Sequence, residues 1–177
     1  VLGSLVVVFL YILLRFRRWQ FSLGAVAAVF HDVLIVLGIF SLTYQFMPFN
    51  MEIDQSFIAA ILTVIGYSLN DTVVVFDRIR EFMKEYGTSR KMGLIINQAI
   101  NSTISRTLNT SMTTLIVLLA IFIFGGASIM GFMFALIVGV LVGTYSSIFI
   151  ATPVMFDTIQ KKALKPEKQK EEEEPVA

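Results

Sequence analysis

Four side chains in this sequence stand where an apolar chain rarely keeps ionisable groups: His31, Asp32, Asp71 and Arg106. Asp71 precedes the first following cation, Arg78, by about two helical turns, which at ~1.5 Å per residue places its carboxyl ~10 Å inside an apolar run that begins near Phe57. An aspartate near the middle of a membrane helix costs roughly 2.5–3.5 kcal/mol on insertion scales, so it implies a task or a partner. Two readings of Asp71 stand side by side. It is either hydrated from the inner end and marks a packed helix, or it carries a coupling ion or proton. Arg106 either snorkels to head groups or meets a carboxylate. Counted from the outer ends of their spans, Asp71 lies ~22 Å in and Arg106 ~28 Å in, within about a turn of the same depth, so the two can pair. Such a pair has two states, because protonating the carboxyl releases the guanidinium.

Asp32 belongs to another apolar run, where Gly24, Ala28 and Asp32 recur every four residues and so share a helical face. His31 beside it is the only histidine. A lone histidine is a hydrogen-bonded packing residue or a proton carrier, and with no second histidine and no cysteine the sequence offers no metal site. Two intramembrane aspartates on different spans invite comparison with aspartyl intramembrane proteases, but Tyr-Asp and Gly-x-Gly-Asp are absent: the aspartates stand in His31-Asp32 and Asn70-Asp71. A G-x-S-x-G elbow fails at Asn70, and no G-x-x-x-x-G-K-[ST] loop occurs. No enzyme is expected, and no cofactor beyond a proton as coupling ion.

The elements that must position these groups are membrane spans. Hydrophobic residues make up 56% of the chain and charged ones 15%, and mean hydropathy is +0.78, which excludes an ordinary soluble domain. Apolar runs predict five transmembrane helices, at about 1–14, 21–46, 56–76, 103–124 and 129–156. The first looks shortened at its start and ends in Arg15, Arg17, Arg18 and Trp19, an interfacial flank. Between Met92 and Ile104 apolar residues recur at helical spacing opposite Asn97, Gln98 and Asn101, which predicts a cytoplasmic amphipathic helix over about 88–102. The fourth span opens on a polar half containing Asn109 and Thr110. On the fifth, Gly131, Ala135, Gly139, Gly143, Ser147 and Ala151 form a ladder of small residues every four positions, a stripe that lets two helix backbones approach. Residues 157–177 read as a charged, disordered cytoplasmic tail.

All 14 Lys and Arg fall in segments on one side of this arrangement. By the positive-inside rule residues 47–55 and 125–128 face outward, 15–20 and 77–102 face the cytoplasm, the chain starts outside and it ends inside. The fold class is therefore an all-α polytopic membrane protein.

The run Gly66-Tyr67-Ser68-Leu69-Asn70-Asp71-Thr72-Val73-Val74-Val75-Phe76-Asp77-Arg78-Ile79-Arg80-Glu81 closely resembles the signature of the SecF family, partner of SecD in bacterial protein export. So do Ser105-Arg106-Thr107-Leu108-Asn109-Thr110-Ser111 with Thr113-Thr114, Phe124-Gly125-Gly126, His31-Asp32, and the stretch from Gly143 to Ala151. The resemblance covers about residues 1–153. It implies half of an RND-superfamily bundle, with these five spans matching the family's second to sixth and its first helix and periplasmic domain not represented. It further implies a bacterial inner-membrane subunit that works with SecD beside the SecYEG channel. There it would use the proton motive force to help draw unfolded polypeptide across, in contact with membrane lipid and not with nucleic acid. Asp71 and Arg106 match the family's proton-transport residues, with Asn70, His31, Asp32, Asn109 and Thr110 as supporting polar groups. Two alternatives are a scaffold that binds SecD through the small-residue ladder and a small-molecule exporter of the same superfamily.

Overall fold

The computed structural model describes residues 2–49, 51–87 and 91–160, and all of its regular elements are helices. In chain order they are α1 (Leu2–Phe16), α2 (Trp19–Thr43), α3 (Gln55–Tyr86), α4 (Met92–Phe124) and α5 (Ala127–Ser146). A π-helical turn, Ser147–Ala151, follows α5, and helix resumes beyond it, so that one apolar rod runs over Ala127–Gln160. Four helices, α2, α3, α4 and this rod, are long and apolar enough to cross a membrane. The 15-residue α1 is shorter, ~22 Å against a hydrocarbon core of about 30 Å.

The helix ends follow local chemistry. Asp54 caps α3, its side chain accepting the Phe57 N–H at 2.9 Å. Gly126, at φ 83°, makes the turn from α4 into α5 in a conformation that side-chain-bearing residues rarely adopt. Two helices run beyond the apolar spans read from the sequence. The helix carrying Asp71 continues ten residues past Phe76 to Tyr86, because Asp77 through Lys84 contains no breaker before Gly87. The amphipathic stretch is not a separate surface helix: from Met92 onward it forms the first turns of α4 and runs unbroken through residues 102 and 103. Asn97, Gln98 and Asn101 change which face is polar, but they do not interrupt backbone hydrogen bonding. The region expected to be tail is helical to Gln160; residues 161–177, and 88–90 of the predicted amphipathic helix, lie outside the described residues.

Packing is divided along the bundle axis. One apolar cluster joins Val36, Phe40, Phe57, Ile61, Val64 and Leu136 toward the α2–α3 loop. Another joins Ile12, Phe21, Phe76, Ile79, Ile96 and Met155 toward the charged end. Between them lies a layer of buried polar residues: Asp32, Ser68, Asp71, Thr72, Thr107, Ser111 and Ser146. The ladder is spent inside the chain. Ala135, Gly139, Gly143, Ser147 and Ala151 are buried and Gly131 is half-buried. A Cβ on Gly139 would fall within the Val64 side chain, and one on Gly143 would lie 3.0 Å from the Ser68 Cβ, so α3 and α5 touch backbone to side chain.

Candidate functional site

Two polar seams cross the layer between the apolar clusters. In the first, α2 presents Asp32, fully buried, to α3 and α5. Ser68 of α3 donates to Asp32 Oδ2 at 2.5 Å, and Ser146 of α5 donates to the same oxygen at 2.8 Å. The other carboxyl oxygen lies 3.2 Å from His31 Nδ1, whose side chain is 31% exposed and whose ring lies 6.5 Å from that of Tyr145. One carboxyl thus ties three helices together, and its acceptor capacity suits hydroxyl donors. Close approach of the backbones makes this possible: Gly143 sits against Ser68, and Gly24 of α2 sits against the Ala151 carbonyl and Met155. The π turn begins immediately after Ser146, with the Thr152 hydroxyl donating to the Ser147 carbonyl at 3.1 Å. Such wide turns are often found at functional positions.

The second seam lies between α3 and α4. Tyr67 donates to Ser111 Oγ at 3.3 Å, and Ser111 shares a 2.6 Å hydrogen bond with Thr144 of α5. Toward the charged end, Arg78 Nε donates to Ser102 Oγ at 3.0 Å. These two crossings give the antiparallel register of α3 on α4, and that register places Asp71 and Thr107 at the same level of the two helices. Both are buried, Asp71 at 4% exposure and Thr107 at 1%. Asp71 Oδ2 and Thr107 Oγ1 are two of three buried side-chain oxygens without a hydrogen-bond partner among the described residues, the third being Ser22 Oγ. Thr107 is also the exception on its helix. Thr103, Thr110, Thr113 and Thr114 return their hydroxyls to carbonyls one turn back.

Arg106 neighbours this pair without closing it. No ion pair joins it to Asp71 among the described residues, and Arg106 lies on the exposed side of α4. The reason is helical geometry: Thr107 occupies the position that faces α3, and one residue back turns Arg106 by about 100° around the axis. Asn70, Asn109 and Thr110 are likewise exposed. Asp32 and Asp71 therefore serve different seams, with Ser68 and Asp71 on successive positions of one α3 turn linking them. Ser68, Ser146, Ser111 and Thr107 stand in the runs quoted from the sequence, but the sequence reading gave them no role in the site. Thr103, Thr107 and Ser111 recur every four residues in line with Ala99, a spacing that marks the polar stripe α4 turns inward.

Known proteins resemble this chain in sequence and in fold. The family described as protein export membrane protein SecD/SecF, C-terminal, matches residues 1–161. The protein translocase subunit SecF of Rhodothermus marinus is 60% identical over 157 residues, which cover 89% of this chain and 50% of that protein. A crystal structure of SecDF in a super-membrane-facing form superposes with a TM-score of 0.80 at 40% identity, over 94% of this chain and 22% of that one. A Thermus SecDF, described as a translocon-associated membrane protein, gives 0.75 at 41% identity over 86% of this chain and 20% of its own. The chain spans about half the length of the SecF relative and about a fifth of the SecDF chains. It is a multi-pass membrane protein, and with its match running through both polar seams it belongs to the SecD/SecF family of protein-export membrane proteins, on the SecF side.

Proposed function

We propose that this chain forms the SecF membrane half of a protein-export complex in the bacterial inner membrane, and that Asp71 takes up and releases the protons that drive it. The observation that carries this reading is the buried Asp71 carboxyl oxygen without a hydrogen-bond partner among the described residues, at the level of α4 where Thr107 is buried and also without one. A carboxyl held by several donors would be locked in its charged form. Asp71 is not locked. A threonine hydroxyl can donate to a carboxylate or accept from a carboxylic acid, so Thr107 can serve both protonation states with a small rotation. Arg106 is close enough to compensate the charged form, and swings free when it is neutralised.

The partner is a SecD subunit. Arg106, Asn109, Thr110 and Thr113 lie exposed on one side of α4, and only 17% of that helix's apolar window is buried, against 44% for α2 and α3. Hydrocarbon is a poor solvent for a guanidinium and an amide, so this side calls for protein with polar groups of its own. The α5 ladder offers no comparable surface, since α3 already covers Gly139 and Gly143. Action beside the SecYEG channel on unfolded polypeptide is what membership of the export family implies.

The test is export into vesicles reconstituted with the full-length subunit, SecD and the channel, with and without an imposed proton gradient. Asp71→Asn keeps shape and cannot cycle a proton, so the complex should assemble and lose its gradient stimulation. Thr107→Val should cut stimulation about tenfold or more, since a hydrogen bond to a charged group is worth ~1.5–3 kcal/mol, and Thr107→Ser should retain it. Stimulation of Asp71→Asn equal to the parent's would sink the proton reading.

Orientation rests on the one-sided cations and is checked separately. A cysteine at Glu52 should react with an impermeant thiol reagent applied outside intact cells, and a cysteine at Glu85 should react only after lysis. Labelling of the Glu85 position in intact cells would invert the topology.

A further inference from the structure

At the charged end of the bundle a cleft of about 430 Å³ opens between the α1–α2 turn and the extension of α3. Arg15, Arg17, Arg18, Arg80 and Lys84 line it over an apolar floor of Phe16, Phe21 and Met83, and no carboxylate is among the lining residues. The arginines are held in place. The Arg15 and Arg80 guanidinium carbons lie 5.5 and 5.8 Å from the Phe16 ring centroid, and Arg80 donates to the Arg15 carbonyl. Arg15 is partly neutralised by Asp77 at 2.8 Å, whereas Arg17, Arg18 and Lys84 form no ion pair among the described residues. Trp19, 45% exposed, follows Arg18 in the chain at the first position of α2, and an exposed indole marks the level of the head groups.

A second, independent feature lies in the backbone. Arg17 has φ 53°, in the left-handed region, and its N–H closes α1 on the Leu13 carbonyl at 2.8 Å. Glycine adopts that helix-ending conformation most cheaply, so an arginine there is strained. Strain retained at a cleft wall points to a use for the side chain.

We infer that this cleft binds the phosphodiester head group of an acidic phospholipid from the inner leaflet. Several guanidiniums with no competing carboxylate suit a phosphate anion, and half-buried Met83 with the methylene stems of the arginines and Lys84, lying over the buried rings of Phe16 and Phe21, suits the first methylenes of the acyl chains. A free phosphate would share the head-group chemistry but not the floor, so the two sources are separable. The site is independent of proton exchange at Asp71.

The experiment is native mass spectrometry of the full-length subunit in complex with SecD, in micelles doped with phosphatidylglycerol or phosphatidylcholine, with thermal stability followed in parallel. The parent complex should retain phosphatidylglycerol in preference. Arg17→Gly relieves the backbone strain while removing one charge, so it should lower that retention about fivefold with stability unchanged or raised, as expected for ~1 kcal/mol per interfacial cation. Arg18→Gln with Lys84→Gln should lower it further, and Lys91→Gln, outside the cleft, should not. Retention by Arg17→Gly and by the double cleft variant equal to the parent's overturns the site. A loss in the Lys91→Gln control equal to that of Arg17→Gly also overturns it, by showing that only total charge matters. Displacement of the lipid by millimolar inorganic phosphate would assign the cleft to a soluble anion and overturn the lipid as its occupant.

Discussion

Gly139→Leu is expected to prevent the bundle from closing. A Cβ alone would fall inside the Val64 side chain, and leucine adds three further carbons where α3 and α5 leave no room. Adding even single methylenes to a packed interior costs about 1–3 kcal/mol, so this change should exceed ~3 kcal/mol and leave little folded chain in the membrane. Gly139→Ala makes the argument quantitative. It should destabilise on its own and be partly rescued by Val64→Ala, a coupling of about 1 kcal/mol that arises only if the two side chains compete for one space. The measurement is loss of helicity on titrating micelles with SDS. Additive effects of the two alanines would mean that α3 and α5 do not meet there.

Asp32→Ala should cost about 2–4 kcal/mol in the same assay. Ser68 then has no acceptor, and a buried unmade hydrogen bond is worth ~1–3 kcal/mol. Ser146 fares better, since it also reaches the Gly143 carbonyl at 3.2 Å. Asp32→Asn keeps an oxygen acceptor and should lose about half as much. Pairing Asp32→Ala with Ser68→Ala should recover part of the loss, because the orphaned hydroxyl goes with its acceptor. An Asp32→Ala variant as stable as the parent would show that the three-helix junction is held by packing alone.

The fold class, a bundle of long apolar helices, was readable because lipid imposes it: a run of ~20 apolar residues has few other uses. The α5 ladder was readable for the same reason, since small residues every four positions have a geometric meaning on any helix. What escaped depends on which helix comes to face which residue. Asp32 stood out as a carboxyl in an apolar run, yet nothing in the neighbourhood of Ser68 or Ser146 announces that their hydroxyls converge on it from 36 and 114 residues away. Arg106 and Thr107 are adjacent in sequence, and charge drew attention to the arginine although the threonine holds the inward position. Span limits are not helix limits, and the helices run on beyond Phe76 and start before Thr103. Hydropathy reports the solvent there, whereas backbone hydrogen bonding continues regardless.

The length of α3 has a mechanical consequence. Its 32 residues form a rod of ~48 Å that starts at the Asp54 cap and ends at Gly87, and Asp71 sits at the midpoint. A carboxyl at that place is a fulcrum with an arm of ~24 Å on each side. A tilt of only ~10° about it, small enough for side chains in the seam to follow, carries both tips through ~4 Å in opposite directions. The Asp54 end leads into the α2–α3 loop and the Gly87 end lies beyond the guanidiniums of the charged end, so under the role proposed for Asp71 a change of one proton at the centre would be felt at both ends of the bundle at once.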